Sequence, residues 1–393
     1  MAWKDTERDK LRYHLRLTIG ATMRLSQLLL LAPYPLTLVQ RDCCSISSRG
    51  VQVIKIFRQL ISIFVTIVTM TSQFVLFYVY PHLMYQPTVP IFIVILYYIL
   101  SILQTMTVAV LMIGCEGRRT QYETYFETVL PLVKETFEQS DCQLTIWHRN
   151  TARAALVVYS TIAIILPIVT GAIIQTNAAV PYAMGHFISF VVSYLVLMQY
   201  YSVFVHLSSI LRKLNERLTA LVRGGLTPGG DAFMYIEQLR LLHVEVMEIA
   251  GGLNEKIGYV IIMIVVAIFA SVNIELLELY QCVRLGVLSP TVIVMKFIFA
   301  AIEFSFYILI AYPNRLIQNE NQRTLFMLHK TQRASNSADT NGSVIHYILQ
   351  ISNLRHIHQS CGMIPLDMKL ITNVVAAITT IVVILIQFAD FGL

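Results

Sequence analysis

Ionisable and amide side chains interrupt several long apolar stretches of this 393-residue chain. Because a charged group at the centre of a membrane helix costs about 2.5–3.5 kcal/mol on insertion scales, each one marks a functional or a paired position. The apolar stretches at 257–281 and 290–313 carry the charged groups, and those at 91–114 and 185–211 add hydroxyls and an amide. The candidate residues are Tyr97, Gln104, Ser193, Tyr194, Asn273, Glu275, Glu278, Lys296, Glu303 and Tyr307.

These side chains could line a small-molecule pocket, because aromatic walls with a few polar groups are typical of such sites. Lys296 and Glu303 are seven residues apart and therefore share a helix face, and Tyr307 follows Glu303 by four. The alternative is structural. Lys296 would then form a salt bridge with Glu275 or Glu278, and the tyrosines would lie in the aromatic belt at the membrane surface.

Motifs for enzyme or metal chemistry are missing from the sequence. His356 and His358 are two residues apart and so lie on different faces of a helix, and Cys361 follows at a spacing that zinc sites do not use. The sequence contains no Gly-rich phosphate loop and no nucleophile motif. We therefore expect no enzyme, no catalytic residue, no metal site and no cofactor.

Composition indicates a membrane protein. Hydrophobic residues make up 56% of the chain and charged residues only 13%, whereas soluble domains contain about 25% charged residues. In a soluble protein the net charge of +6 would suggest nucleic acid, but in a membrane protein the placement of the basic residues is what matters. We predict an all-α membrane protein that contacts lipid and does not bind nucleic acid.

Seven apolar runs are long enough to cross a bilayer as helices. They lie at 59–80, 91–114, 154–177, 185–211, 257–281, 290–313 and 366–389. Basic residues are concentrated in 1–58 and in the long connections 115–153, 212–256 and 314–365, and the short connections hold only Arg284. Because cytoplasmic segments retain Lys and Arg, the N-terminus is predicted to be cytoplasmic and the C-terminus extracellular.

A shorter apolar stretch, Leu25–Val39, precedes the first span and is interrupted by Pro33 and Pro35. It is too short to cross the membrane comfortably. We therefore predict a short re-entrant or interfacial helix at the inner leaflet, before the first of the seven transmembrane helices.

The long connections are predicted to be helical in part. Apolar residues recur at helical spacing in 120–138 and 232–253, so the spans should extend beyond the membrane. Gly224–Gly230 should break the helix that follows the fourth span. We expect a polar loop at 334–343 and a short helix at 344–358.

The last apolar run ends with a short motif. Thr380 and Ile381 are followed by five apolar residues at 382–386 and then by Gln387 and Phe388. This pattern resembles the C-terminal signature of insect gustatory receptors, which reads Thr-Tyr, five apolar residues, Gln-Phe, with Ile381 in place of the tyrosine. The seven-helix topology with a cytoplasmic N-terminus and an extracellular C-terminus is also similar to that of this family. So is the proline-broken segment before the first span.

The resemblance implies a tastant-gated, non-selective cation channel in the plasma membrane of sensory neurons. Its pore would be formed by the last helix of four subunits, as a homo-tetramer or a hetero-tetramer with other gustatory receptor subunits, without a G protein. Thr380, Ile384 and Gln387 are spaced i, i+4, i+7 and so form one stripe, which fourfold repetition would turn into an apolar ring and an amide ring. Phe388 and Asp390 complete the candidate pore residues.

The implied organisation has four parts. They are a cytoplasmic N-terminus with the interfacial helix (1–58), a six-helix ligand-binding bundle with cytoplasmic extensions (59–313), a cytoplasmic packing region (314–365) and the pore-lining last helix (366–393). Two alternatives remain open. An odorant receptor subunit would share the pore but work with a co-receptor, and a membrane transporter would need no central pore.

Overall fold

Long helices account for almost all of the structure. The computed structural model describes residues 19–34, 36, 48–79, 91–136, 179–223, 230–286, 290–334, 338–353, 359–360 and 364–390, with isolated positions between 150 and 161. The helices are α1 (Gly20–Leu28), α2 (Ser48–Val79), α3 (Ile91–Ile113), α4 (Arg119–Thr136), α5 (Ile188–Arg223), α6 (Gly230–Leu285), α7 (Pro290–Ala334), α8 (Ala338–Asn353) and α9 (Met368–Asp390).

Shorter elements connect some of these helices. A 3-10 turn, Glu116–Arg118, joins α3 to α4, and Ala179–Tyr182 with the π-helical turn Ala183–Phe187 leads into α5. Two short antiparallel strands, β1 (Gln359–Ser360) and β2 (Ile364–Pro365), precede α9. The sequence pattern had not indicated this strand pair.

Six helices among the described residues are long and apolar enough to cross a membrane, and they coincide with six of the seven predicted spans. The predicted span at 154–177 lies almost wholly outside the described residues. The 56 residues of α6 extend for about 84 Å at 1.5 Å per residue, far beyond a hydrocarbon core of about 30 Å. The predicted helical extension at 232–253 is therefore confirmed. Helix α5 likewise continues the fourth span to Arg223, and α4 covers most of the helical segment predicted at 120–138.

Helix α5 lies at the centre of the bundle and packs against α7, α6 and α3. In its apolar stretch 83% of the residues are buried, against 28% in α2 and 17% in α9. The core is therefore built around α5, while α2 and α9 lie at the periphery of the protomer.

The predicted helix in Leu25–Val39 was placed too late in the chain. Helix α1 ends at Leu28, and the chain then turns through Leu30, which has a φ of 62°. The side chain of Gln27 closes the turn by donating to the carbonyl oxygen of Pro33 at 2.9 Å. Because the buried side of α1 includes polar and small residues packed on α5, apolar content alone could not locate it.

A largely buried arginine of α2 holds this turn against that helix. Arg58 donates to the carbonyl oxygens of Gln27 at 2.9 Å and Ala32 at 2.7 Å, and its Nε lies 3.4 Å from Oε1 of Glu116. These contacts join the segment after α1 to the ends of α2 and α3. They give the guanidinium of Arg58 hydrogen-bond and ion-pair partners at the start of the apolar part of α2.

Two further sequence predictions differ from the structure. The polar loop predicted at 334–343 is helical from Ala338, so α8 begins earlier than 344. The predicted helix is described as far as Asn353, and its remaining residues, 354–358, lie outside the described residues. Ser343 explains the extension, because its hydroxyl donates to Glu237 of α6 at 3.1 Å and so anchors the first turns of α8. The break predicted at Gly224–Gly230 lies mainly outside the described residues, and α6 begins at Gly230.

Candidate ligand pocket and pore helix

A row of charged and hydroxyl side chains runs between α6 and α7, and we call it the charged seam. Its members are Ser271, Glu275 and Glu278 on α6, spaced i, i+4, i+7, with Lys296 and Glu303 on α7. Because residues at this spacing share a helix face, each helix presents its polar groups to the other.

Lys296 is paired within the charged seam. Its Nζ lies 3.6 Å from Oε2 of Glu275 and also donates to Glu278. Glu303 accepts a hydrogen bond from the hydroxyl of Ser271 at 2.8 Å. The structural alternative for Lys296, a salt bridge to the two glutamates of α6, is therefore what the structure shows.

Aromatic rings fill the contact between α5 and α7. The ring centroid of Tyr194 lies 6.2 Å from that of Phe306, and the ring of Phe190 lies 4.9 Å from Phe306. Both separations fall in the range that aromatic pairs prefer. Ser193 is buried beside them on α5. Tyr307 is fully buried, and its hydroxyl donates to a backbone carbonyl of α6 at 3.2 Å.

The remaining pocket candidates lie on α3 and α6. Gln104 accepts from the amide of Gln73 on α2 at 3.2 Å, and Ser101 donates to the same amide at 3.0 Å. Tyr97 is buried in an apolar cluster with residues of α2 and α6. Asn273 is buried and donates to a carbonyl of its own helix at 2.7 Å.

The structure thus divides the ten pocket candidates into groups. Four of them meet in the charged seam, three lie in or next to the aromatic contact between α5 and α7, two belong to the α2–α3 contact, and Asn273 bonds within α6. Tyr307 follows Glu303 by one helical turn and so connects the first two groups. Sequence reasoning missed Ser271, Gln73 and Phe306. Ser271 could have been found, because it stands four residues before Glu275 on the same face.

Helix α9 carries the predicted pore residues. Thr380, Ile384 and Gln387 are all exposed on the protomer, Ile384 to 43%. Leu385 and Ile386 face the other way and pack against an apolar cluster that includes residues of α2, α3 and α6. The i, i+4, i+7 stripe therefore lies on a face that is exposed on the protomer. Phe388 and Asp390 belong to α9, but their side chains lie outside the described set.

The exposed faces of α9 and α2 differ in chemistry. On α2 most of the exposed residues are large and apolar, including Phe64, Ile67 and Phe74, with Gln52, Gln59 and Thr71 as the polar exceptions, while Ser62, Thr69 and Gln73 are turned inward. On α9 the exposed face is mixed: the polar residues Thr372, Asn373, Thr379, Thr380 and Gln387 are exposed beside Val375, Val383 and Ile384. Since an amide in hydrocarbon costs free energy unless it is hydrogen-bonded, the α9 face suits water or another subunit better than lipid.

A tyrosine on α4, outside the spans, connects α4 to α5 and, through α5, to the segment that follows α1. Tyr122 donates to the side chain of Gln199 on α5, and Gln199 in turn donates to the carbonyl of Leu31 at 3.2 Å. Burial raises the pKa of the Tyr122 hydroxyl to about 12, because the phenolate would lose its hydration. Tyr122 therefore acts as a hydrogen-bond donor throughout the physiological range of pH.

Comparison with known proteins agrees with this architecture. A family model described as "7tm Chemosensory receptor" matches residues 19–391. A Drosophila melanogaster protein with a provisional assignment as gustatory receptor 59f is 25% identical over 158 residues, which cover 39% of this chain and 37% of that protein. The match thus spans little more than a third of the relative's length.

Two solved structures have a similar fold. The insect olfactory receptor OR5 from Machilis hrabei superposes with a TM-score of 0.64 at 11% identity, covering 96% of this chain and 99% of that one. The structure of the same receptor in complex with eugenol gives 0.62 with the same identity and coverage. At this level of identity the similarity shows the fold alone.

Proposed function

The chain belongs to the seven-transmembrane chemosensory receptor family, and from this premise we propose that it is a gustatory receptor that works as a tastant-gated, non-selective cation channel. Four copies, or copies together with related subunits, surround a pore lined by α9. The protein works in the plasma membrane of sensory neurons and needs no G protein, because receptor and channel are the same molecule.

The observation that carries the proposal is the set of polar residues on the exposed face of α9, above all the amide of Gln387. Fourfold assembly about this face places Gln387 and Thr380 in contact with water and ions, and it removes the amide of Gln387 from unfavourable contact with lipid. Ile384, between them on the stripe, forms an apolar constriction that can close by dewetting. Amide dipoles favour cations without strict selectivity.

The ligand site proposed for this channel lies along α7. The charged seam and the aromatic contact with α5 meet at Glu303 and Tyr307, which are one turn apart on the same helix. Aromatic surface with few polar groups suits a small organic molecule. The complex of Machilis hrabei OR5 with eugenol supports a small-molecule ligand for this fold.

A second candidate function is an odorant receptor subunit, which the fold of the OR5 structures supports. Such a subunit would need a co-receptor to conduct. The C-terminal motif from Thr380 to Phe388 and the similarity to the Drosophila gustatory protein favour taste.

Expression in insect cells that lack other chemoreceptors tests the proposal. We expect the chain alone to reach the cell surface and to carry cation currents in response to members of a tastant panel, with a G-protein inhibitor leaving these currents unchanged. Currents that appear only with an added odorant co-receptor, and not with related gustatory subunits, would favour the odorant receptor function. Currents abolished by the inhibitor would overturn the proposed mechanism.

A further inference from the structure

Three buried polar side chains form a closed hydrogen-bonded ring that joins α5, α6 and α7. The hydroxyl of Tyr200 donates to Oδ1 of Asn254 at 2.7 Å. Nδ2 of Asn254 donates to Oδ1 of Asn314 at 3.3 Å, and Nδ2 of Asn314 donates back to the Tyr200 hydroxyl at 2.6 Å. All three residues are buried, so the ring lies inside the helix packing. We call these three residues the asparagine ring.

On α7, both amide protons of the ring member Asn314 form hydrogen bonds. Asn314 has two amide protons, of which one goes to Tyr200 and the other to the carbonyl oxygen of Ile310, one turn earlier, at 3.1 Å. Pro313 stands directly before it inside α7 and supplies no backbone N–H there. A fully satisfied buried network fixes the helices that it joins, because breaking any bond leaves a polar group without water.

One face of α7 connects the asparagine ring to the candidate ligand site and to α9. Glu303, Tyr307, Asn314 and Gln318 are spaced i, i+4, i+11 and i+15, which keeps them on the same face of a helix. Nε2 of Gln318 donates to Oδ2 of Asp367 at 3.3 Å. Asp367 precedes α9, and its Oδ1 accepts from the backbone N–H of Lys369 at 2.9 Å, so it caps the start of α9.

We propose that the asparagine ring is the pivot of α7 in gating, with Tyr200, Asn254 and Asn314 as positioning residues. The part of α7 that carries Glu303 and Tyr307 lies on one side of the pivot. Gln318, which holds the cap of α9, lies one turn beyond it on the other side. When α7 moves at the ligand site, it therefore also moves the first turn of α9, the helix that lines the pore. The inference rests on the proposed channel function.

Hydrogen exchange of the purified full-length protein tests the pivot without ligand or current. Tyr200→Phe keeps the aromatic side chain but removes the hydroxyl that donates to Asn254 and accepts from Asn314. Gln318→Leu removes the hydrogen bond to Asp367. We expect the backbone amides of 369–374 to exchange about ten times faster in both variants, because the first turn of α9 opens more often. Asn254→Ala breaks the asparagine ring from α6 and replaces Tyr200→Phe should that variant fail to fold.

Ser208→Ala is the matched control. It also removes a buried hydroxyl from α5, but that hydroxyl donates within its own helix, to the carbonyl of Val205 at 2.8 Å. We expect wild-type exchange at 369–374 in this variant. The proposal is overturned if Tyr200→Phe and Asn254→Ala speed exchange only beside the asparagine ring and leave 369–374 at the wild-type rate. Because this readout does not depend on conduction, a failure of the channel assay leaves the test of the pivot intact.

Discussion

The ion pairs of Lys296 allow the most quantitative prediction. Lys296→Met removes the ammonium group and keeps a side chain of similar length. It leaves Glu275 and Glu278 of α6 without the cation that the structure places beside them. The charged seam then holds carboxylates between two membrane helices, and the cation that mainly compensated their charge is absent.

The expected loss follows from the geometry. At 3.6 Å the attraction between Lys296 and Glu275 is about 5 kcal/mol for an effective dielectric constant near 20. The side chains are about a fifth exposed, so water offsets part of this energy. Breaking a buried pair by removing one partner costs about 3–5 kcal/mol, and we expect about 3 kcal/mol here, at the lower end. A variant with Lys296→Met, Glu275→Gln and Glu278→Gln, which is neutral at all three positions, should recover most of it.

Surface expression and the melting temperature of detergent-solubilised protein measure the effect. Lys330→Met is the matched control, because Lys330 lies exposed on the same helix and outside the seam. We expect Lys296→Met to lower both quantities, the triple variant to restore them and the control to change neither. The reasoning is refuted if Lys296→Met is as stable as Lys330→Met, or if the triple variant is less stable than the single one.

Three further predictions concern the channel. Gln387→Glu should add a carboxylate from each subunit at the constriction and raise calcium permeability relative to sodium, measured as reversal potentials under bi-ionic conditions, whereas Leu385→Ala, on the packed face, should leave them unchanged. Ile384→Ala should wet the apolar constriction and leave a current without ligand, visible as block of a resting conductance by an impermeant cation. Glu303→Gln should keep the hydrogen bond from Ser271 and near-normal surface expression but shift the half-maximal tastant concentration; unchanged dose–response curves would remove Glu303 from the ligand site.

Structural features that are determined by local sequence patterns, such as apolar length and helical spacing, could be predicted from the sequence. The spans follow from apolar length, and the common face of Thr380, Ile384 and Gln387 follows from helical spacing alone. The ion pair of Lys296 was the structural alternative to the pocket interpretation, because the charges of a membrane helix need partners and α6 carries two glutamates.

Features fixed by tertiary contacts could not be predicted in this way. The start of α8 depends on the bond from Ser343 to Glu237, and the turn after α1 depends on Arg58, which is distant in sequence. The asparagine ring joins residues 54 and 60 positions apart, and each of its members reads as an ordinary polar residue when taken singly. Apolar content and periodicity carry no information about such pairings.

Single-channel recording from the purified protein, reconstituted alone in a planar bilayer, tests the central claim most directly. We expect discrete unitary currents that reverse at the potential of a non-selective cation pore, that increase with an activating tastant, and whose amplitude changes in Gln387→Glu but not in Leu385→Ala. Tetrameric, correctly folded protein that binds the tastant and yet gives no unitary currents would contradict the account, as would currents that Gln387→Glu leaves unaltered while Leu385→Ala changes them.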